Sequence, residues 1–149
     1  MNTVIKHGMV EVRGSGMGFA QEITAGRHRL FADEPVSAGG TDTGPDPYGL
    51  LLAALGACTS MTVALYARRQ NWALDEVVVR LTHSKIHAED GQHFETRHSM
   101  LDSIEREIVL HGKLVDEQRA KLMQIADRCP VYRTLTSEIR IVTRPGQSA

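Results

Sequence analysis

The stretch from Asp46 to Arg69, DPYGLLLAALGACTSMTVALYARR, constrains the fold more than any other. No residue from Pro47 to Ala67 carries a formal charge. Asp46 ahead of Pro47 puts a capping side chain before a proline at the first helical position. Arg68-Arg69 puts two cations where a helix C-terminus favours them. The segment therefore reads as one helix over Pro47–Arg69, about 35 Å long. A helix uncharged all round is buried in a protein core or in a bilayer. Thr59, Ser60 and Thr62 would fall at mid-membrane, and the rest of the chain holds strands that need a cover, so the core reading is preferred. On a helical wheel Leu51, Ala54, Leu55, Met61, Thr62 and Leu65 lie within about 60° of Cys58. Cys58 thus points into an apolar stripe. The opposite side, with Ala53, Gly56, Ser60, Val63 and Ala67, is small or neutral and suits close packing.

Around this helix the sequence places strands. Residues 3–13 alternate Val4, Lys6, Gly8, Val10 and Val12 on one side and read as a strand. The glycine-rich run 14–18 leads into the strand-like Phe19–Ile23, so a turn is favoured over a phosphate cradle, which should open a helix. Ala25-Gly26 turns the chain into a third strand over Arg27–Asp33, completing an antiparallel meander. Glu34–Pro45 is loop by composition. It reads equally as an ordinary connection or as a functional loop that delivers the chain to the Cys58 helix. A strand over Asp75–His87, a turn at Asp90-Gly91 and a strand over 97–111, with Met100, Ile104, Ile108 and Leu110 inward, form a hairpin. Leu114–Cys129 reads as a second helix stopped by Pro130, and Ser137–Arg144 as a terminal strand. The order predicts an α+β fold, antiparallel sheet packed on two helices, in a single domain over residues 1–149.

Several function classes are disfavoured. A net charge of −1 leaves no electrostatic footprint for nucleic acid, and 5% aromatic residues offer few stacking platforms. The N-terminus MNTVIKHGMV has no apolar run of signal-peptide type. Two cysteines far apart in such a chain suggest a reducing, cytoplasmic compartment. His83, His87, His93 and His98 lie on or near the central hairpin, but their spacing matches no zinc pattern. No G-x-S-x-G elbow is present.

Cys58 and Cys129 remain. Each falls on the apolar stripe of its helix, which fits a small buried hydrophobe as well as a reactive thiol. Nothing local obviously lowers either pKa, save that Arg128 and Arg133 are placed to offset the dipole at Cys129. Cys58 is mid-helix, and Cys129 sits at a helix C-terminus where the dipole disfavours thiolate. A reactive Cys58 needs a cation from elsewhere, with Arg13, Arg27 and Arg29 the nearest candidates. A nucleophile for acyl transfer is a weaker reading, since no histidine is assignable as its base.

The segments GPDPYGLLLAALGACTSMTVALYARRQNW and CPVYRTLTSEIRI resemble the OsmC/organic hydroperoxide resistance family. The likeness runs in order along nearly the whole chain. The resemblance implies an OsmC-like, intertwined homodimer with the long helices at its centre and active sites at the subunit interface. It also implies a thiol peroxidase active in oxidative stress, with no metal and no organic cofactor. Carried over, Cys58 is the peroxidatic residue that becomes a sulfenic acid, and Cys129 the resolving residue that joins it in a disulfide. A dithiol, a lipoyl group in the hydroperoxide-resistance branch, reduces that disulfide. The apolar stripe suits an organic hydroperoxide. A non-catalytic dimer that binds small apolar or thiol-reactive molecules is the alternative. No nucleic acid or membrane partner is implied. Tyr48 stands where the better-understood branches carry a glutamate, and no arginine occurs in Gly16–Gln21, where its partner is expected. The sequence therefore sits closer to the OsmC-like branch, and the activating Arg–Glu pair is not carried over.

Overall fold

The structure, a computed structural model, describes residues 7–87 and 100–148. The fold is α+β, and the chain divides into two compact units at Leu51–Leu52.

The first unit is the expected meander. Strands β1 (Val10–Gly14), β2 (Gln21–Ala25) and β3 (His28–Ala32) form one antiparallel sheet in that order. Val12 faces Ile23, and Ile23 faces Leu30. β1 is shorter than the strand read from residue 3. Val10 pairs with Ala25, where β2 ends at Gly26 in a left-handed turn of φ 61°, so residues 7–9 have no ladder to join. Residues 3–6 lie outside the described residues.

The loop after β3 is organised by a buried carboxylate. Asp33, only 2% exposed, accepts at one oxygen from Glu34 N (2.8 Å). Its other oxygen accepts from Thr41 N (3.3 Å), Thr41 Oγ1 (2.5 Å), Thr43 N (3.2 Å) and Thr43 Oγ1 (2.7 Å). A buried anion is tolerated only with such donors. Gly40 sits inside the clamp, where a Cβ would lie 1.9 Å from the Glu34 carbonyl oxygen. This loop is a built connection, and it ends at Asp46, whose Oδ1 accepts from Gly49 N (2.7 Å) as the N-cap of the following helix.

That helix, α1 (Pro47–Arg69), has the bounds read from the sequence. In the second unit it lies on the antiparallel pair β4 (Ala73–His87) and β5 (Met100–Lys113), in which Val79 faces Ile108 and His83 faces Ile104. Leu55, Gly56, Thr59, Val63 and Ala67 are its buried residues. The missing side chain of Gly56 admits β4, since a Cβ there would meet Leu81 Cδ1 at 2.9 Å. Val63 and Ala67 join Leu110, Leu122 and Ala126 in the core, flanked by Tyr66 and Trp72 packed edge to face at 5.6 Å. Full burial of a side chain such as Leu122 contributes roughly 1.5–3 kcal/mol. Of the inward set on β5, Leu110 is buried and Ile104 and Ile108 half-buried, whereas Met100, in the last described pair, is exposed. The Asp90-Gly91 turn lies outside the described residues.

Two sequence expectations are corrected. The second helix does not reach Cys129. α2 (Asp116–Ala126) ends early, and a short helix α3 (Pro130–Leu135) follows. Proline disfavours helical backbone at the preceding residue. Cys129 accordingly has φ −55° and ψ 127° and caps α3, with Pro130 at its first position. The terminal strand over Ser137–Arg144 is also absent. Ile139, Ile141 and Val142 are 51%, 84% and 68% exposed, because no edge within the described chain receives the segment.

The Asp33 clamp holds its carboxylate well below the usual range, chiefly through Thr41 and then Thr43. The folded pKa is depressed, so the contribution to stability is present above the unfolded value of about 4 and fades as pH falls below it. Asp33→Asn, which cannot accept the same donors, should lower the thermal midpoint at pH 7 by at least about 2–4 °C. Thermal melts across pH should show the gap to wild type narrowing from about pH 4 downward. A constant gap would refute the carboxylate's role.

Candidate active site

The two cysteines, distant in sequence, meet in the second unit. Cys58 lies on α1 and is half-buried, and Cys129 is wholly buried at the α2–α3 junction. Both are free thiols, and each acts on the ionisation of the other.

Their surroundings differ in kind. Burial pushes the Cys58 thiol up, and donation of its proton to Cys129 pushes it further. The Val131 N–H and Thr62 only partly oppose this. Burial also pushes the Cys129 thiol up, but the donors aimed at its sulfur outweigh that, and the net direction is down. Around that sulfur stand the Cys58 thiol, the N–H groups of Tyr132 and Val131, and the Thr59 hydroxyl, whose proton goes to the Leu55 carbonyl at 2.7 Å. The Tyr132 N–H stands 3.4 Å from Sγ. The break at Pro130 creates this arrangement: it turns Cys129 from the acceptor-rich end of a helix into the cap of the next one. The dipole argument made from sequence was thus drawn for the wrong end of a helix. Within the pair, Cys58 is the sulfur biased toward the proton and Cys129 the one biased toward the charge.

Sequence reasoning missed the cation of this site. It is Arg106, on β5, with its side chain 13% exposed. It donates to Thr59 Oγ1 at 3.0 Å and to the Ala126 carbonyl at 3.4 Å, and it pairs with Asp127 at 2.7 Å. Its guanidinium carbon lies 4.9 Å from the centre of the Tyr132 ring. The signal was available: Arg106 has the same strand parity as Ile104, Ile108 and Leu110, so alternation puts it on the inner face, where a charge demands partners. Two of the arginines named from sequence are engaged in the first unit, Arg13 with Glu11 and Arg29 with Glu22. A cavity of about 220 Å³ adjoins the site, lined by Leu55, Asp102, Ile104, Arg106, Tyr132 and Thr136 among others.

The stripe around Cys58 is only partly covered among the described residues, with Leu55 buried. Leu51, Met61 and Leu65 are 37%, 70% and 41% exposed. The small-residue side expected to be free for a second helix is instead partly occupied, since Gly56, Val63 and Ala67 pack within the chain. By length and composition α1 could cross a membrane, as the core helix of a soluble protein also can.

Among the described residues, no group of three or more His, Cys, Asp and Glu could hold a metal. Of the histidines considered from sequence, His83 is 2.8 Å from Asp102, and His93 and His98 lie outside the described residues.

The sequence model of the family described as OsmC-like protein matches residues 40–144. No curated protein matches the chain. Solved structures share its fold. An OsmC-like protein of Mycoplasma pneumoniae superposes with a TM-score of 0.69 at 16% identity, over 89% of each chain. An organic hydroperoxide resistance protein OsmC of Legionella pneumophila gives 0.63 at 19% identity, over 90% of this chain and 92% of that one. The organic hydroperoxide resistance protein OhrB of Bacillus subtilis gives 0.56 at 24% identity, over 88% and 91%.

This asymmetry has a direct chemical readout. Iodoacetamide on the folded protein should label Cys58 and spare Cys129 until the chain is denatured. Because the Cys58 pKa is raised, its labelling should be slower than that of a free model thiol at pH 7 and should accelerate above the ordinary thiol range. Peptide mapping by mass spectrometry checks both. Equal labelling of both cysteines in the native state would contradict the geometry.

Proposed function

The chain belongs to the OsmC-like protein family, and from that membership we propose that it reduces organic hydroperoxides with the Cys58–Cys129 pair, in defence against oxidative stress. The observation that carries the reading is that these two free thiols, distant in sequence, are brought together so that each acts on the ionisation of the other. Two solved structures with this fold are named organic hydroperoxide resistance proteins, in keeping with it.

The chemistry follows from the asymmetry of the pair. Cys58 is the sulfur a peroxide can reach. As it attacks the terminal oxygen of ROOH, its proton passes to the Cys129 thiolate to which it is already bonded. The O–O bond breaks, Cys58 becomes a sulfenic acid, and the alkoxide takes a proton to leave as ROH. The Cys129 sulfur, again a thiolate, then attacks the Cys58 sulfenic sulfur and expels hydroxide, which leaves as water. An external dithiol, such as a lipoyl group, reduces the disulfide and becomes a disulfide itself. Supply of that reductant suits a cytoplasmic setting. The apolar neighbours Leu51, Met61 and Leu65 suit an alkyl or aryl peroxide better than hydrogen peroxide.

One equivalent of cumene hydroperoxide should produce an intrachain Cys58–Cys129 disulfide, seen by non-reducing mass spectrometry. Cys58→Ser should abolish peroxide consumption. Cys129→Ser should slow the oxidation of Cys58 and leave the sulfenic acid that does form unresolved, to be trapped by a dione reagent. If both thiols stay alkylatable while peroxide persists, catalysis falls, and the non-catalytic binder remains.

A second copy of the chain is the cover proposed for the exposed stripe, giving a homodimer with α1 near its centre. A helix with one face on its own sheet and an opposite apolar stripe exposed is half an interface. Light scattering should give about twice the chain mass of 16.4 kDa. Met61→Glu with Leu65→Glu should shift it to monomer. A wild-type monomer at micromolar concentration, or partition of α1 into lipid vesicles, would overturn the dimer.

A further inference from the structure

We propose that Arg106 is a positioning residue for the thiol pair: clamped by Asp127 and the Tyr132 ring, it fixes the Thr59 hydroxyl against the Cys129 sulfur and so keeps the negative charge on Cys129. This deepens the peroxidase reading by naming what holds the pair in its working ionisation state, in a chain that has Tyr48 where a glutamate was expected. The Arg106 role itself can be tested without any peroxide.

The argument rests on geometry. Arg106 is nearly buried, so its charge must be matched. Asp127 matches it at 2.7 Å and is itself well exposed, which leaves a cationic head fixed at the inner edge of the site. Three contacts of that head converge on the surroundings of one sulfur. The first is the hydrogen bond to Thr59 Oγ1. The second is the bond to the Ala126 carbonyl, which also accepts from Cys129 N at 3.2 Å. The third is the stack on Tyr132, whose backbone N–H donates to Sγ.

Thr59 is the relay. A hydroxyl has one proton and two acceptor sites. Arg106 fills one acceptor site, leaving the proton two destinations, the Leu55 carbonyl at 2.7 Å and the Cys129 sulfur. With Cys129 protonated, Leu55 can keep it. When Cys129 is a thiolate, the hydroxyl can turn to the sulfur, and the guanidinium behind it raises its strength as a donor. Cys58 from α1 and Tyr132 from α3 stand against Cys129, and Arg106 from β5, paired with Asp127, stands behind Thr59 and Tyr132.

The test is a thiolate absorbance titration near 240 nm in the Cys58→Ser background, where Cys129 is the only cysteine. The readout needs no access to the buried sulfur. Arg106→Met should move the Cys129 titration upward by about one pH unit. Thr59→Val, which keeps the volume but removes the hydroxyl, should move it in the same direction. Because Arg106 acts through Thr59, the double variant should move it little further than Thr59→Val alone. Arg106→Lys, which keeps the charge but loses the fork, should fall between wild type and Arg106→Met, and circular dichroism should show each variant folded. If Arg106→Met does not fold, the Arg106→Lys and Thr59→Val titrations decide. Unshifted titrations in the folded variants overturn the proposal. So does a shift in Arg106→Met that adds fully to that of Thr59→Val. An unshifted titration with weaker binding of carboxylate-bearing hydroperoxides would instead make Arg106 a substrate ligand in the adjoining cavity. If the titrations shift as expected but the full-length dithiol protein consumes no peroxide, Arg106 keeps its role and the peroxidase reading fails.

Discussion

The packing of α1 on β4 and β5 fixes everything around the site. An uncharged helix has no polar face to turn outward, so the choice of buried face falls to shape. Gly56 lets the helix approach Leu81 closely, and Val63 and Ala67 continue that contact into the core with Leu110, Leu122 and Ala126. With this small-residue face against the sheet, Thr59 is drawn into the interior and Cys58 is carried to its margin. A helix rotated by one residue would exchange these environments, burying Cys58 and stranding Thr59 away from Arg106. The identity of the accessible sulfur is thus a consequence of a glycine on the far side of the helix.

Pro130 imposes the second constraint. By forcing Cys129 out of helical backbone, it divides what would be one helix and aims fresh N–H groups at the sulfur. A thiol held at the end of α2 would face carbonyl oxygens, which repel a thiolate. The same thiol one step past the break faces donors. The position in sequence is unchanged, and the electrostatic sign is reversed by one imino acid.

Much of this was legible in the sequence. α1 was readable to the residue because its signals are local: a capping Asp46, Pro47 at the first position and terminal arginines. The meander and the long hairpin strands were readable from alternation and glycine turns. What failed depended on partners. The alternation in Ser137–Arg144 marks a segment able to pair, but pairing requires a partner strand, and none of the described strands pairs with it. The apolar stripe beside Cys58 was read as buried, yet a stripe states only that something must cover it. Both cysteines were legible as a pair through resemblance, but their unequal surroundings were not, since those arise from Thr59, Arg106 and two backbone N–H groups on three different stretches of chain.

The inequality between the sulfurs matters more than the pKa of either alone. A pair of identical, exposed thiols would be oxidised indiscriminately, and a pair of identical, buried thiols would not meet a substrate. Here the surroundings bias the proton toward the reachable sulfur and the charge toward the unreachable one. The thiolate is protected from direct oxidation by burial, while its charge remains available across a single hydrogen bond to draw the proton from Cys58. In the proposed cycle the same feature serves the return step, because a stabilised thiolate is the better leaving group when a dithiol attacks the disulfide at the accessible sulfur. Activation of Cys58 therefore does not require a cation at Cys58 itself. A charge stored one sulfur away, and held by Arg106 through Thr59, supplies the base that the missing arginine–glutamate pair would otherwise replace.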